Sequence, residues 1–94
     1  MKLTFEWDSE KARQNLSKHG VSFEEASTVF DDPLSLTVPD RRHSVQERRF
    51  VIIGSSAAAR VLVVVHTDSG QTVRVISARS ATKRERKEYE EETK

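Results

Sequence analysis

Leu3, Phe5 and Trp7 alternate with Lys2, Thr4 and Glu6, a period of two that predicts a half-buried strand. Asp8 then stands as an N-cap with Glu10 in the first turn. Ala12, Leu16 and His19 share one stripe of a helix over about residues 9–19, and Gly20 follows where a left-handed residue ends it. Ser22-Phe23-Glu24-Glu25 has the spacing of a capping box. The helix it opens carries Phe23, Ala26, Val29 and Phe30 and stops at Asp31-Asp32-Pro33, because Pro33 disfavours a helical residue before it.

The pattern then returns to period two. Leu34, Leu36 and Val38 alternate with Ser35 and Thr37, and Pro39 to Gln46 reads as a loop. Arg49–Gly54, Val61–Thr67 and Thr72–Arg79 read as three further strands. Ser55 to Ala59 joins the first two, and the tight Asp68-Ser69-Gly70 turn joins the last two. On simple alternation Arg60, Leu62, Val64 and His66 share a face. Arg74, Ile76 and Ala78 share another, opposite Val73, Val75, Ser77 and Arg79. Thr82-Lys83-Arg84-Glu85 is a second capping box, opening a helix to about Glu92 whose one large apolar residue is Tyr89; such a helix is weakly held. The order β-α-α-β-β-β-β-α with hairpin-length connections predicts an α+β domain: a mostly antiparallel sheet, two N-terminal helices and one C-terminal helix.

Composition narrows the classes. A chain of 94 residues is one domain over residues 1–94. Apolar residues at 35% against 33% charged imply a thin core or a face that serves a partner. With 16 basic and 15 acidic residues the chain is neither histone-like nor an acidic tail. The absence of cysteine excludes a disulfide scaffold and thiolate zinc sites. No stretch approaches the roughly 20 apolar residues of a membrane span, and the N-terminus lacks the apolar region of a signal peptide. A cytoplasmic protein is expected.

Charge is unevenly spread. The seven basic residues of segment 33–79 are all arginines, Arg41, Arg42, Arg48, Arg49, Arg60, Arg74 and Arg79, and arginine offers phosphate a planar fork. His19, His43 and His66 are widely spaced and lack nearby carboxylate ligands, so neither a metal nor a cofactor is expected. The glycines are isolated, which excludes a phosphate loop, and no nucleophile elbow is present. What remains is histidine and arginine on strands. His66 can move a proton near neutrality, and arginines beside it can neutralise phosphate, the parts needed for attack by the 2′-hydroxyl of RNA. The plainer reading stands beside it: His66 hydrogen-bonds at a strand end and the arginines are solvated.

Longer blocks are more specific. Phe5-Glu6-Trp7-Asp8, Lys11, Asn15, Lys18-His19-Gly20-Val21-Ser22-Phe23-Glu24-Glu25-Ala26 and Val29-Phe30-Asp31-Asp32-Pro33 come in order. His43-Ser44, Glu47-Arg48-Arg49-Phe50, Ile53-Gly54, the Arg60–Val65 run, Arg74–Arg79, Ala81-Thr82 and Tyr89-Glu90 follow. Over about residues 5–90 the chain closely resembles the BrnT family of type II toxin–antitoxin toxins. It departs at Ala57-Ala58-Ala59, where related sequences often turn through a glycine. The resemblance implies a RelE-like fold, an RNA substrate and a metal-independent endoribonuclease that arrests translation. It also implies a ribbon-helix-helix antitoxin that neutralises the toxin and carries the complex onto its own promoter DNA.

In RelE-like ribonucleases the work is spread over basic and aromatic side chains, so the resemblance makes Arg60, His66, Arg74, Arg79, Lys83 and Tyr89 the catalytic candidates. Arg48, Arg49, Lys18 and His19 are candidates to bind RNA, although Lys18 and His19 also suit a helix C-terminus electrostatically. Arg79 stands out because it has no evident local role, whereas Thr82 and Glu85 are accounted for by capping. A non-catalytic module with an arginine face for an acidic partner remains a competing class. Direct DNA binding is disfavoured by the near-neutral charge.

Overall fold

The computed structural model of the chain describes residues 3–40 and 48–92; Arg41, Arg42 and His43 lie outside them. In chain order the elements are strand β1 (Thr4–Glu6), helices α1 (Ser9–His19) and α2 (Phe23–Thr28), a 3-10 turn (Val29–Asp31), strands β2 (Leu36–Pro39), β3 (Arg49–Ser55), β4 (Val61–Ser69) and β5 (Thr72–Ser80), and helix α3 (Lys83–Glu92). The sheet order is β1-β5-β4-β3-β2. Among the described strands β1 runs parallel to its neighbour, β5, and the other pairs are antiparallel. The expected α+β class and element order are therefore observed.

Local chemistry explains the boundaries. Asp8 accepts the Lys11 N–H at 2.9 Å, and Gly20 at φ 69° closes α1 by donating to the Leu16 carbonyl. Thr82 and Glu85 cap each other reciprocally, Thr82 N–H to Glu85 Oε1 at 2.8 Å and Glu85 N–H to Thr82 Oγ1 at 3.1 Å. The Ser22 box is only half formed. Ser22 Oγ accepts the Glu25 N–H at 3.0 Å, but the Glu25 carboxylate leaves the helix for Ser56 and Arg60. Strand β2 starts at Leu36 rather than Leu34 because Asp32 holds the preceding turn: its Oδ1 accepts the Leu34 N–H and its carbonyl the Ser35 N–H.

One sheet face packs on α1 and α2. Val21, Phe23, Ala26 and Val29 meet Ile52, Leu62, Val64, Val75 and Ala78, all buried, with Phe5, Trp7, Ala12 and Phe30 at the margin. Fully burying a side chain of this size contributes about 1.5–3 kcal/mol. Gly54 belongs to the same face, and a Cβ there would come within 2.9 Å of Val29 Cγ1 and 3.0 Å of Ser35 Cβ. It is glycine because the 3-10 turn runs that close to β3.

Two expectations from simple periodicity are corrected. The β4–β5 register passes from Val65 opposite Ser77 to His66 opposite Val75, so Ile76 is the extra residue of a bulge. The bulge shifts the phase. Ala78, expected beside Arg74 and Ile76, lies in the core with Val75. Arg74 and Arg79, expected on opposite faces, lie opposite Thr67 and Val63 on the face away from α1 and α2. On α1, Leu16 is 51% exposed while Asn15 is 7% exposed, so the inward stripe runs through a polar residue.

That asparagine closes an edge. β1 pairs with β5 only over Thr72–Arg74, which leaves the far half of β5 without a neighbouring strand on that side. Asn15 takes the strand's place: Ala78 N–H donates to its Oδ1 at 3.1 Å and its Nδ2 donates to the Ala78 carbonyl at 2.8 Å, with a further bond to the Val21 carbonyl at 3.0 Å.

Candidate active site

The sheet connections gather half of the candidate residues at one end of the molecule. There α1 finishes in Lys18 and His19, and the Gly20 carbonyl accepts from Arg60 Nη2 at 3.2 Å. β4 begins and β5 ends side by side, tied by the Ala81 N–H to the Val61 carbonyl at 2.9 Å. Arg79 and the first residue of α3, Lys83, belong to this end. Arg48, Arg49 and Arg74 lie at the other end, where Arg49 is opposite Thr67 and Thr67 opposite Arg74. The Arg48 guanidinium sits 5.7 Å above the Phe50 ring centroid, a cation–π contact.

His66 is at neither end. Its ring is 4% exposed on the helix-facing side of β4, edge-on to Phe30 at 4.8 Å and stacked on Phe50 at 5.8 Å. Both ring nitrogens are buried without a hydrogen-bond partner, and burial holds the imidazole below its ordinary pKa. Arg74 and Arg79 are on the opposite sheet face, so the juxtaposition of His66 with arginines expected from strand alternation does not occur.

Arg79 does have a local role, contrary to expectation. Its Nη1 and Nη2 bind Glu85 Oε1 and Oε2 at 2.7 and 2.9 Å, a bidentate pair. The same carboxylate accepts the Thr82 N–H. Arg79 leads these donors in holding Glu85 down at about 2. Arg60 is likewise engaged, binding both oxygens of Glu25, and this pairing pulls the Glu25 carboxyl below its usual range. Arg60 thus straps the start of β4 to α2 and to the end of α1.

Tyr89, buried at 8% exposure, donates its hydroxyl to Asp32 Oδ2. Burial first, then the hydrogen bond to Asp32 and its charge, push the phenol up to about 12, so it stays protonated. Burial opposes ionisation of Asp32, yet its donors Ser55, Tyr89 and Leu34 together keep it below the usual value. Asp32 and Tyr89 anchor α3 to the sheet.

A groove of about 320 Å³ lies between α1 and the bulged stretch of β5. Lys11, Gln14, Lys18 and His19 line one wall, Ile76 and Ser77 the other, and Asn15 the floor. Lys11, Gln14 and Lys18 recur at helical spacing on α1, and no carboxylate is among the lining residues. Lys11 and Gln14 were not singled out in the sequence for chemistry. The available signal was their spacing with Lys18, which matters only once β5 is known to lie alongside. Among the described residues no group of three or more His, Cys, Asp and Glu is arranged to hold a metal. Among the described residues no helix is long and apolar enough to cross a membrane.

This α+β fold is similar to that of a ribonuclease toxin, the BrnT of Brucella abortus, known from a crystal structure at 1.1 Å: the TM-score is 0.64, with 26% identity over 88% of this chain and 99% of that one. Residues 7–85 match the family described as the ribonuclease toxin BrnT of type II toxin–antitoxin systems, and the chain belongs to that family. Among curated proteins none matches.

Proposed function

We propose that this chain is a metal-independent endoribonuclease that arrests translation, with its RNA-cleaving site in the groove between α1 and β5. A cognate ribbon-helix-helix antitoxin neutralises it, and their complex binds promoter DNA through the antitoxin. The observation that carries the catalytic part is His19, an exposed imidazole at the mouth of a groove with Lys11 and Lys18, while His66 is sealed between two phenyl rings.

The chemistry needs little else. The His19 imidazole takes the proton of an RNA 2′-hydroxyl, whose oxygen attacks the adjacent phosphorus. The bond to the 5′-oxygen breaks, a proton returns to that oxygen, and a 2′,3′-cyclic phosphate remains. Lys11 and Lys18 neutralise the charge that grows on the phosphate. Lys83 stands at the same end of the sheet and extends the positive surface for the RNA strand, with Arg79 partly exposed there and its charge shared with Glu85; Arg48, Arg49 and Arg74 line the far end. Arg60 orders the α1 terminus that carries His19. Tyr89 holds α3 in place.

The test is cleavage of single-stranded RNA by the purified chain in EDTA. The expected products are 2′,3′-cyclic phosphate ends, with His19→Ala slower by about 10²–10⁴-fold and His66→Phe close to wild type. Unchanged cleavage by His19→Ala, or loss of cleavage on chelation, overturns the mechanism. Growth arrest on production of the chain in bacteria, relieved by the product of the adjoining antitoxin gene, tests the cellular role.

A further inference from the structure

The sheet face turned away from α1 and α2 is only partly covered: Val63 and Tyr89 are buried, while Leu36, Val51 and Ile53 are half-buried. Leu36 and Val38 of β2, Val51 and Ile53 of β3, and Val63 of β4 line a groove there of about 230 Å³, closed on one side by Glu85, Glu88 and Tyr89 of α3. Cross-strand pairing makes the apolar row continuous, Leu36 opposite Ile53 and Ile53 opposite Val63. Val38 is 56% exposed, and the nearby Leu34 51%. A contiguous apolar patch on a small domain marks an interaction surface.

The charge on the α3 side says what kind of partner fits. Glu85, Glu88, Tyr89 and Glu92 fall on one helical face at spacings of three and four. The helix ends in Glu90, Glu91 and Glu92 and has no basic residue in its last turn. Carboxylates at a helix C-terminus oppose the macrodipole, so α3 is weakened by its own sequence and gains from cationic groups laid beside it. Glu85 is already taken by Arg79, and Glu88 meets Arg84 only loosely, at 3.6 Å between exposed side chains.

We infer that this groove is the docking surface for the antitoxin, which lays there a segment carrying branched apolar side chains toward β2 and β3 and lysine or arginine toward Glu88 and Glu92. The inference rests on the antitoxin reading proposed above and adds the surface and its chemistry. The groove lies on the sheet face opposite the α1 groove and includes Glu85, the partner of Arg79, so the docked segment neutralises by covering the Arg79–Lys83 surface that the RNA strand crosses rather than by filling the α1 groove.

The test is titration calorimetry of the purified toxin with the protein encoded by the adjoining antitoxin gene, at 0.15 M salt on the order of physiological. Val38→Lys and Glu88→Lys are both exposed substitutions outside the catalytic groove. Each is expected to weaken binding at least tenfold while the thermal melt and RNA cleavage stay at wild-type values. The Glu88→Lys effect is expected to shrink in high salt and the Val38→Lys effect to persist. Wild-type affinity in both variants places the antitoxin elsewhere and overturns the inference while leaving the antitoxin reading intact. No binding by the wild-type toxin overturns both. A toxin that dimerises alone and becomes monomeric in Val38→Lys, with antitoxin affinity unchanged, assigns the groove to a second copy instead.

Discussion

Removing the side-chain amide of Asn15 should cost this domain more than its size suggests. Asn15→Ala deletes the three heavy atoms of the amide, and with them three backbone groups lose their partner: the Ala78 N–H, the Ala78 carbonyl and the Val21 carbonyl, now bonded at 3.1, 2.8 and 3.0 Å. A buried donor or acceptor left unsatisfied costs about 1–3 kcal/mol. Asn15 floors the α1 groove, so water reaches part of the gap and offsets some of that cost. The expected loss is about 3 kcal/mol, which lowers Tm by roughly 12–24 °C for a domain of this size. Circular-dichroism melts with urea titration measure it. Asn15→Asp is the informative companion. Ionised, the new carboxyl still accepts from Ala78 N–H but faces two carbonyl oxygens, so its folded pKa is raised; its stability is retained below the unfolded value of about 3.9 and lost as pH climbs through the folded one. A drop below about 3 °C for Asn15→Ala would mean that water substitutes for the amide and that the edge of β5 does not depend on this residue.

Other expectations concern single positions. Arg79→Ala should reduce toxicity and, because the bidentate contact with Glu85 goes with it, also lower Tm; full toxicity in a stable variant would remove Arg79 from function. Glu85, held at about 2, contributes stability above its unfolded pKa of about 4.3, lost as pH falls toward 2; Glu85→Gln should flatten that part of the acid titration of Tm. The depressed His66 pKa has the opposite direction from a stabilised imidazolium: the unfolded chain binds the proton more readily, so stability falls as pH drops below about 6.5. His66→Phe should abolish this slope, and a melt that stays equally pH-dependent would contradict it. Gly54→Ala should destabilise by about 1–3 kcal/mol through overpacking against Val29 and Ser35. Ala59→Gly should raise Tm, since Ala59 sits at φ 62° and an L-residue there costs about 1–2 kcal/mol; an unchanged or lower Tm argues against strain in that turn.

Much of the architecture was legible because its signals are local. Asp8, Gly20, Gly70 and Thr82 with Glu85 act on backbone groups within a few residues, and the strand alternation reports burial directly; the expected Asp68-Ser69-Gly70 turn is corrected to Gly70-Gln71, because Asp68 and Ser69 still pair with Val73 and Thr72 in the β4–β5 ladder. These determined the element order and the α+β class, and the longer blocks pointed to the family. Local rules failed where a distant segment competes for the same atoms. Glu25 has the spacing of a capping residue, but Arg60 offers a bidentate partner that the Ser22 N–H cannot match. Alternation along β5 fails at Ile76, the extra residue of a bulge between the stretch paired with β1 and the stretch held by Asn15.

The site was less legible for the same reason. Sequence alone cannot say which sheet face a histidine or arginine occupies when a one-residue bulge reverses the answer. Only the tertiary structure decided that His66 is enclosed by Phe30 and Phe50 and that Arg79 is tied to Glu85. It also showed that Lys11 and Lys18, seven residues apart on one helix, share a groove because the edge of β5 passes beside them. The sequence by itself determined which elements form and in what order. Which side chains face one another depends on register and packing between segments far apart in the chain, and those are settled only when the sheet closes on its helices.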